Sequence, residues 1–524
     1  MSTSRAGRQS RFSKQPLDRV APAAMLLLAV VIAAMLLLGT RALPSVRTFS
    51  WEGKQIAADD VAFMMTFTQP LDPQSVEQNL RITPSLAGKF SWAGRRMAYT
   101  LEAPAPYGQS YEVSLPAARL LNGQAGFDPF DSEFHTRDRV FAYIGAEGKE
   151  KGRLILFNLT RKEKTLLTPE DQAVLDFRPY PERDRIAYLS ASNQADEQNL
   201  LLPELYTVST GLEETNAEKS SPAMNAPTPR WQFWRQASPV AAGTIQQILD
   251  NKAYQNLKFD LSPDGNVIVI QRVNRDNPAD FGPWVLMNNQ PAYKLKTEPG
   301  GDFKIAPDSL SLLLQQGEGT AVIALDPELS EVETETLVDF LPDYGLTLDI
   351  ANDGSAAALV NFNQDDPDKQ FTQSLFWVSN RGDEKPLLNT DGEILSARFN
   401  EDNEILYVLI NQRLPGETYQ VAPYLTAINV TTGKEQRLLE MPPQPDIRIS
   451  LSPDDLAILF DEALVSNSGA LEKDDDTDEA SAGATHRLWL LPLFSTLDER
   501  LNGEPVALPP TELEISGRYP VWLP

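Results

Sequence analysis

The sequence predicts an all-β protein of 524 residues behind a single N-terminal apolar helix. Three observations predict it. Val20 to Gly39 form an uncharged apolar run, with Arg5, Arg8, Arg11, Lys14 and Arg19 ahead of it and one acid, Asp18, among them. The whole chain carries 40 prolines and 29 glycines, and beyond residue 39 it holds many short apolar runs, the composition of strands joined by turns. An apolar strand, a turn rich in Pro, Asp and Gly, and a second apolar strand recur along most of the chain.

The apolar run predicts a transmembrane helix over 20–39, since about 20 residues at 1.5 Å each match a hydrocarbon core of roughly 30 Å. The positive-inside rule then puts the basic tail 1–19 in the cytoplasm and the bulk of the chain in the periplasm of a bacterial cell, a single-pass protein of the cytoplasmic membrane. The run is longer than a secretory signal core, and Arg41 and Leu43 spoil a cleavage site. An uncleaved anchor is therefore the preferred reading and a cleaved signal the alternative. No cysteine follows that could carry a lipoprotein anchor.

Net charge is −27, and the part beyond residue 19 carries about −31. Such a surface repels phosphate backbones, which argues against nucleic-acid binding. The absence of cysteine removes disulfides, thiolate nucleophiles and sulfur-ligated metals. With only His135 and His486, a histidine metal cluster is nearly excluded and any Ser-His-Asp triad must use one of the two. Both are read as structural.

Residues 48–136 predict a small β-sandwich. Val61, Phe63, Met65 and Phe67 recur at period two, the mark of a half-buried strand, and Pro70-Leu71-Asp72-Pro73 breaks it. Short strands follow near 80–83, 90–93, 97–102 and 111–115. The order Met65-Thr66-Phe67-Thr68-Gln69-Pro70-Leu71-Asp72, Ser75-Val76, Ile82-Thr83-Pro84, Leu101-Glu102-Ala103-Pro104 and Gly108-Gln109-Ser110-Tyr111-Glu112-Val113 resembles the SbsA-type bacterial Ig-like domain. That resemblance implies a spacer or adhesive module of envelope proteins. The usual ending of that family is replaced by Asn122-Gly123.

Residues 138–524 repeat. The first apolar residue of each turn, at 177, 261, 305, 350, 399 and 451, recurs at intervals of 84, 44, 45, 49 and 52, near the period of propeller blades. A third strand often follows with an aromatic, as in Leu205-Tyr206-Thr207-Val208 and Leu375-Phe376-Trp377-Val378, and a fourth ends the unit. Three strands over 140–167 precede the first turn, and Arg518-Tyr519-Pro520-Val521-Trp522-Leu523 reads as one lone inner strand at the C-terminus. A C-terminal strand completing an N-terminal blade closes a ring and removes its edges. The preferred count is seven blades, or six if the first three strands form a linker hairpin. Ser262-Pro263-Asp264-Gly265 and Ser452-Pro453-Asp454 resemble the turns of TolB-type and WD40-like β-propellers; the turn itself reads as structural, Pro fixing φ, Asp accepting backbone bonds and Gly tolerating positive φ.

Two stretches interrupt the repeat. Residues 212–243 have the composition of a mobile loop and contain Trp231, Phe233, Trp234 and Arg235, a candidate partner-docking patch. Residues 466–485 include Lys473-Asp474-Asp475-Asp476-Thr477-Asp478-Glu479, which lacks the spacing of a calcium loop and reads as a solvated acidic run. Asn158 and Asn429 stand in glycosylation acceptor triplets, which matter only in a eukaryotic secretory pathway. No residue is assigned a catalytic, cofactor or metal role. The expected function is a non-catalytic scaffold that binds an envelope protein or glycan; the alternative is a propeller hydrolase or lyase acting on envelope polysaccharide through axial carboxylates.

Overall fold

The computed structural model describes residues 25–31, 43–123, 126–192, 202–212, 240–287, 290–298, 300–317, 319–326, 341–342, 345–414, 420–444, 447–464 and 485–524. The protein is all-β with few helices; beyond the N-terminal run the described α-helices are Pro73–Asn79 and Leu497–Leu501. The sequence reading is corrected at the N-terminus. Of the apolar run, residues 25–31 are described, and they are helical. Among the described residues no helix is long and apolar enough to cross a membrane, so the expected single-pass span over 20–39, and the membrane localisation resting on it, are not supported.

Two four-stranded sheets come first. One holds Val46–Phe49, Ala62–Phe67, Arg96–Leu101 and Gly88–Ala93; the other holds Gln55–Ile56, Phe130–Thr136, Ser110–Leu115 and Arg81–Thr83. Alternation decides which side chains meet. Phe63, Met65 and Phe67 from the first sheet and Tyr111, Val113 and Phe134 from the second are fully buried in one shared core, while Met64 points outward. Trp51 and Phe63 pack edge to face at 5.2 Å.

A series of consecutive antiparallel sheets follows. Sheet 1 is Gln172–Pro179, Arg185–Ser192, Glu204–Ser209 and Ile245–Leu249; sheet 2 is Tyr254–Leu261, Val267–Asn274, Phe281–Met287 and Tyr293–Lys294. Sheet 3 has three described strands, Phe303–Ile305, Ser311–Gln316 and Gly319–Ala324. Sheet 4 is Leu346–Ile350, Ala356–Asn361, Gln373–Ser379 and Glu384–Thr390; sheet 5 is Glu393–Phe399, Ile405–Arg413, Val421–Asn429 and Glu435–Glu440. The long strand Thr511–Trp522 changes partner midway. Its first half completes sheet 6 beside Ile449–Leu451, Ala457–Leu464 and Thr485–Pro492. From Gly517 it pairs instead with Val140–Gly145, opening sheet 7, which continues through Leu154–Asn158 and Glu163–Leu166.

The second strand of each sheet is buried on both faces, which is why it reads as an unbroken apolar run. Ile268 and Ile270 pack toward sheet 1, whereas Val267 and Val269 pack toward sheet 3. Leu406 and Val408 face sheet 4, and Tyr407 and Leu409 face sheet 6. Sheets 3 and 4 share Leu313 with Ala357 and Leu359. Sheets 6 and 7 share Leu459 with Phe141 and Tyr143, and sheet 7 shares Val140 and Leu154 with Phe177 and Ile186 of sheet 1. The stack of seven sheets thus returns to its start.

The turn between first and second strands is the same in sheets 1 to 6. It is closed by Tyr180 N to Arg185 O, Ser262 N to Val267 O, Ala306 N to Ser311 O, Ala351 N to Ala356 O, Asn400 N to Ile405 O and Ser452 N to Ala457 O. Each turn puts one residue at positive φ: Arg183, Gly265, Ser309, Gly354, Asn403 and Asp455, between 56° and 72°. This frame sets the first repeat at Pro179, two residues later than Phe177, the position read from the sequence.

Candidate functional site

The six turns bring a set of charged side chains into register. Two residues before each turn-closing residue, on the first strand, stand Arg178, Asp260, Lys304, Asp349, Arg398 and Ser450. Two residues earlier again are Asp176, Lys258, Asp302 and Arg448. Neighbouring sheets are tied by these groups. Arg178 bonds Asp176 at 2.8 Å within its own strand and Asp260 of sheet 2 at 3.3 Å. Lys258 pairs with Asp302, Lys304 pairs with Asp349, and Arg398 reaches the same Asp349 oxygen at 3.2 Å. Arg448 of sheet 6 bonds Asp176 of sheet 1 at 3.0 Å although sheet 7 lies between those two sheets in the stack. Only strands that face common space can do this, so the first strands line a shared axis.

The acids on this axis are held by backbone as well. Asp260 Oδ2 accepts Ile305 N–H at 2.9 Å, and Asp349 Oδ2 accepts Phe399 N–H at 3.0 Å. Burial pushes the Asp349 carboxyl upward, but Lys304, Arg398 and the hydrogen bonds outweigh it and hold its pKa below the ordinary value. Burial, then Arg398, depresses Lys304 despite the pull of Asp349; burial, then Arg178, depresses Lys258. The side chains of Arg398 and Arg448 are 51% and 42% exposed, against 9% for Asp349 and 16% for Asp176. The axis therefore shows solvent its cations and keeps most of its carboxylates behind them.

A second charged cluster lies where the first module meets the stack. Burial raises the Asp455 carboxyl to about 8, with Asp402 and Glu401 adding to the rise and the Glu401 N–H and Arg500 opposing it. Glu401 and Asp402 are raised too, chiefly by burial. A raised carboxyl is what a general acid needs, but Asp455 is buried and its Oδ2 is taken up by the Glu401 N–H at 3.0 Å. Nearby, a cavity of about 240 Å³ is lined by Leu86, Pro106, Tyr111, Leu497 and Arg500.

The docking patch expected at Trp231, Phe233, Trp234 and Arg235 lies outside the described residues, as does the acidic run 473–479. His135 Nδ1 lies 2.9 Å from Ser110 Oγ within the first module, and His486 Nδ1 lies 3.5 Å from Asp461. Among the described residues no three His, Cys, Asp or Glu converge as a metal site. The Pro-Asp turns are self-bonded: Ser262 Oγ donates to Asp264 and accepts Val267 N–H, and Ser452 repeats this with Asp454 and Ala457. The axial set was not singled out from the sequence. Its signal is a pair of opposite charges two residues apart just before a turn (Asp176 and Arg178, Lys258 and Asp260, Asp302 and Lys304), which a strand places on one face.

Neither a protein-family profile nor a curated protein sequence matches this chain. Among solved structures, it is similar to TolB from Acinetobacter baumannii, with a TM-score of 0.37 and 12% identity over 93% of this chain and 89% of that one. It is similar to an oligogalacturonate lyase in complex with manganese (TM-score 0.39, 12% identity, 59% of this chain and 79% of that one). It is also similar to prolyl oligopeptidase B from Galerina marginata (TM-score 0.43, 9% identity), covering 84% of this chain but only 52% of the other.

Proposed function

We propose that the stack of seven sheets is a TolB-like β-propeller preceded by an SbsA-type Ig-like module, and that the protein is a non-catalytic scaffold binding a protein or glycan partner at the propeller axis. The supporting observation is the exposed axial cations, Arg398 and Arg448, set over carboxylates already engaged by cations and backbone N–H groups. Catalysis by an axial acid needs a carboxyl of raised pKa; Asp349 is shifted the other way. Of the raised carboxyls at the junction with the first module, Asp455 is buried, and Glu401 and Asp402 belong to that junction cluster rather than to the axial set.

The test compares the purified chain with its R398E/R448E variant as baits for cross-linking in cell extract, alongside a glycan-turnover screen. A partner recovered by the parent and lost by the variant supports the reading. Recovery indifferent to the two arginines, or glycan turnover abolished by substituting Asp176 or Asp260, overturns it.

A further inference from the structure

We infer that the axis is a binding site for a multivalent anion, whose carboxylate or phosphate groups are held by Arg398, Arg448, Lys304 and Lys258. This deepens the binding reading above and rests on it.

The chain carries a net charge of −27, so an exposed cationic patch is set against the charge of the whole. The axial acids Asp260 and Asp349 are committed to holding neighbouring strands together, each accepting a backbone N–H from the next sheet. The cations keep donors in reserve. A guanidinium carries five N–H groups, and Arg398 uses Nη1 on Asp349. Arg448 spends Nη1 on Asp176 and lies over the Tyr519 ring at 4.1 Å. The cations also repel one another: Arg398 depresses Lys304, and Arg178 and Arg448 both depress Lys258. An anion seated among them relieves that repulsion and gains charge-assisted hydrogen bonds in a site walled by sheet, where field lines are focused. Because the cations come from sheets 2, 3, 5 and 6, an anion with several charged groups meets more of them than a monovalent one. One acid opposes this, Asp302, whose side chain is 64% exposed.

The experiment is calorimetric titration of the full chain at low ionic strength with citrate and with inorganic pyrophosphate, glucose serving as the uncharged control. At least one anion binds, glucose does not, and affinity falls as sodium chloride is added. R398Q weakens binding by about tenfold or more, while D302N strengthens it, a gain that misfolding cannot produce. Citrate alone binding assigns the site to carboxylates and pyrophosphate alone to phosphates. Binding of neither, or R398Q and D302N shifting affinity in the same direction, overturns the inference. If neither anion binds yet partner recovery in extract still depends on Arg398 and Arg448, the anion inference falls and the binding reading stands. If recovery ignores those arginines, it is the binding reading that falls.

Discussion

Asp454 Oδ2 accepts the backbone N–H of Tyr107 at 2.9 Å and the Arg139 guanidinium at 3.1 Å, joining the turn of sheet 6 to the first module. Arg500 closes the same junction, donating to Pro104 O at 2.6 Å and Asp454 O at 2.8 Å. The Asp454 side chain is 1% exposed and Tyr107 is buried, so that N–H has no water to turn to. D454A leaves a buried N–H and a guanidinium without their acceptor, and a loss of about 3 kcal/mol is expected in urea denaturation. Limited proteolysis of D454A is expected to cut first around residues 104–107. A variant with an unchanged urea midpoint would refute this account of the junction.

Asp455 makes stability fall with pH. Its folded carboxyl holds a proton up to about 8, whereas the unfolded group loses it near 3.8. Between those values the native state binds the extra proton, so stability is fullest below about pH 4 for this group and is lost as pH rises toward 8, at up to about 1.4 kcal/mol per pH unit. Glu401 and Asp402, also raised, act in the same direction. Denaturation midpoints measured from pH 5 to 8 are expected to decline more steeply in the parent than in D455N. Equal slopes would count against the assignment.

Removing residues 517–524 takes away one of the two strand partners of Val140–Gly145 and, with Trp522, the ring packed edge to face on Phe141 at 5.6 Å. The exposed strand edge then becomes a template for pairing between molecules. The truncated chain is expected to aggregate on gel filtration and to lose amide protection in Val140–Gly145 in hydrogen exchange. Retention of a monomeric, protected fold would show that closure by this strand is dispensable.

Asn403 occupies the turn position that is glycine in sheets 2 and 4. Its φ is 59°, and its buried side-chain oxygen has no hydrogen-bond partner. N403G removes both penalties and loses part of the gain to unfolded-chain entropy, leaving a net stabilisation on the order of 0.5 kcal/mol. A rise of a degree or two in thermal midpoint checks the sign; a fall contradicts it.

Much of the local structure was legible. The alternation at Val61, Phe63, Met65 and Phe67 marks a half-buried strand; the last three are in the core, whereas Val61 precedes the strand Ala62–Phe67 and is exposed. The run Val267-Ile268-Val269-Ile270 marks the second strand of a repeat unit, and it forms that strand. The Pro-Asp turns were visible at 262–265 and 452–454, but their frame at Pro179 was not, because Tyr180-Pro181-Glu182-Arg183 has Glu182 where the other five turns carry Asp. The N-terminal run shows the opposite lesson: apolar composition over 20–39 supplied a span, yet among the described residues no helix is long and apolar enough to cross a membrane.

Sequence by itself determined the all-β class, the turn positions and the exclusion of thiol chemistry, because side-chain periodicity, turn residues and missing cysteines act locally. Tertiary structure alone decided which charges meet. Arg448 and Asp176 stand 272 residues apart and bond at 3.0 Å, a pairing that depends on how seven sheets stack and close and that no local pattern encodes.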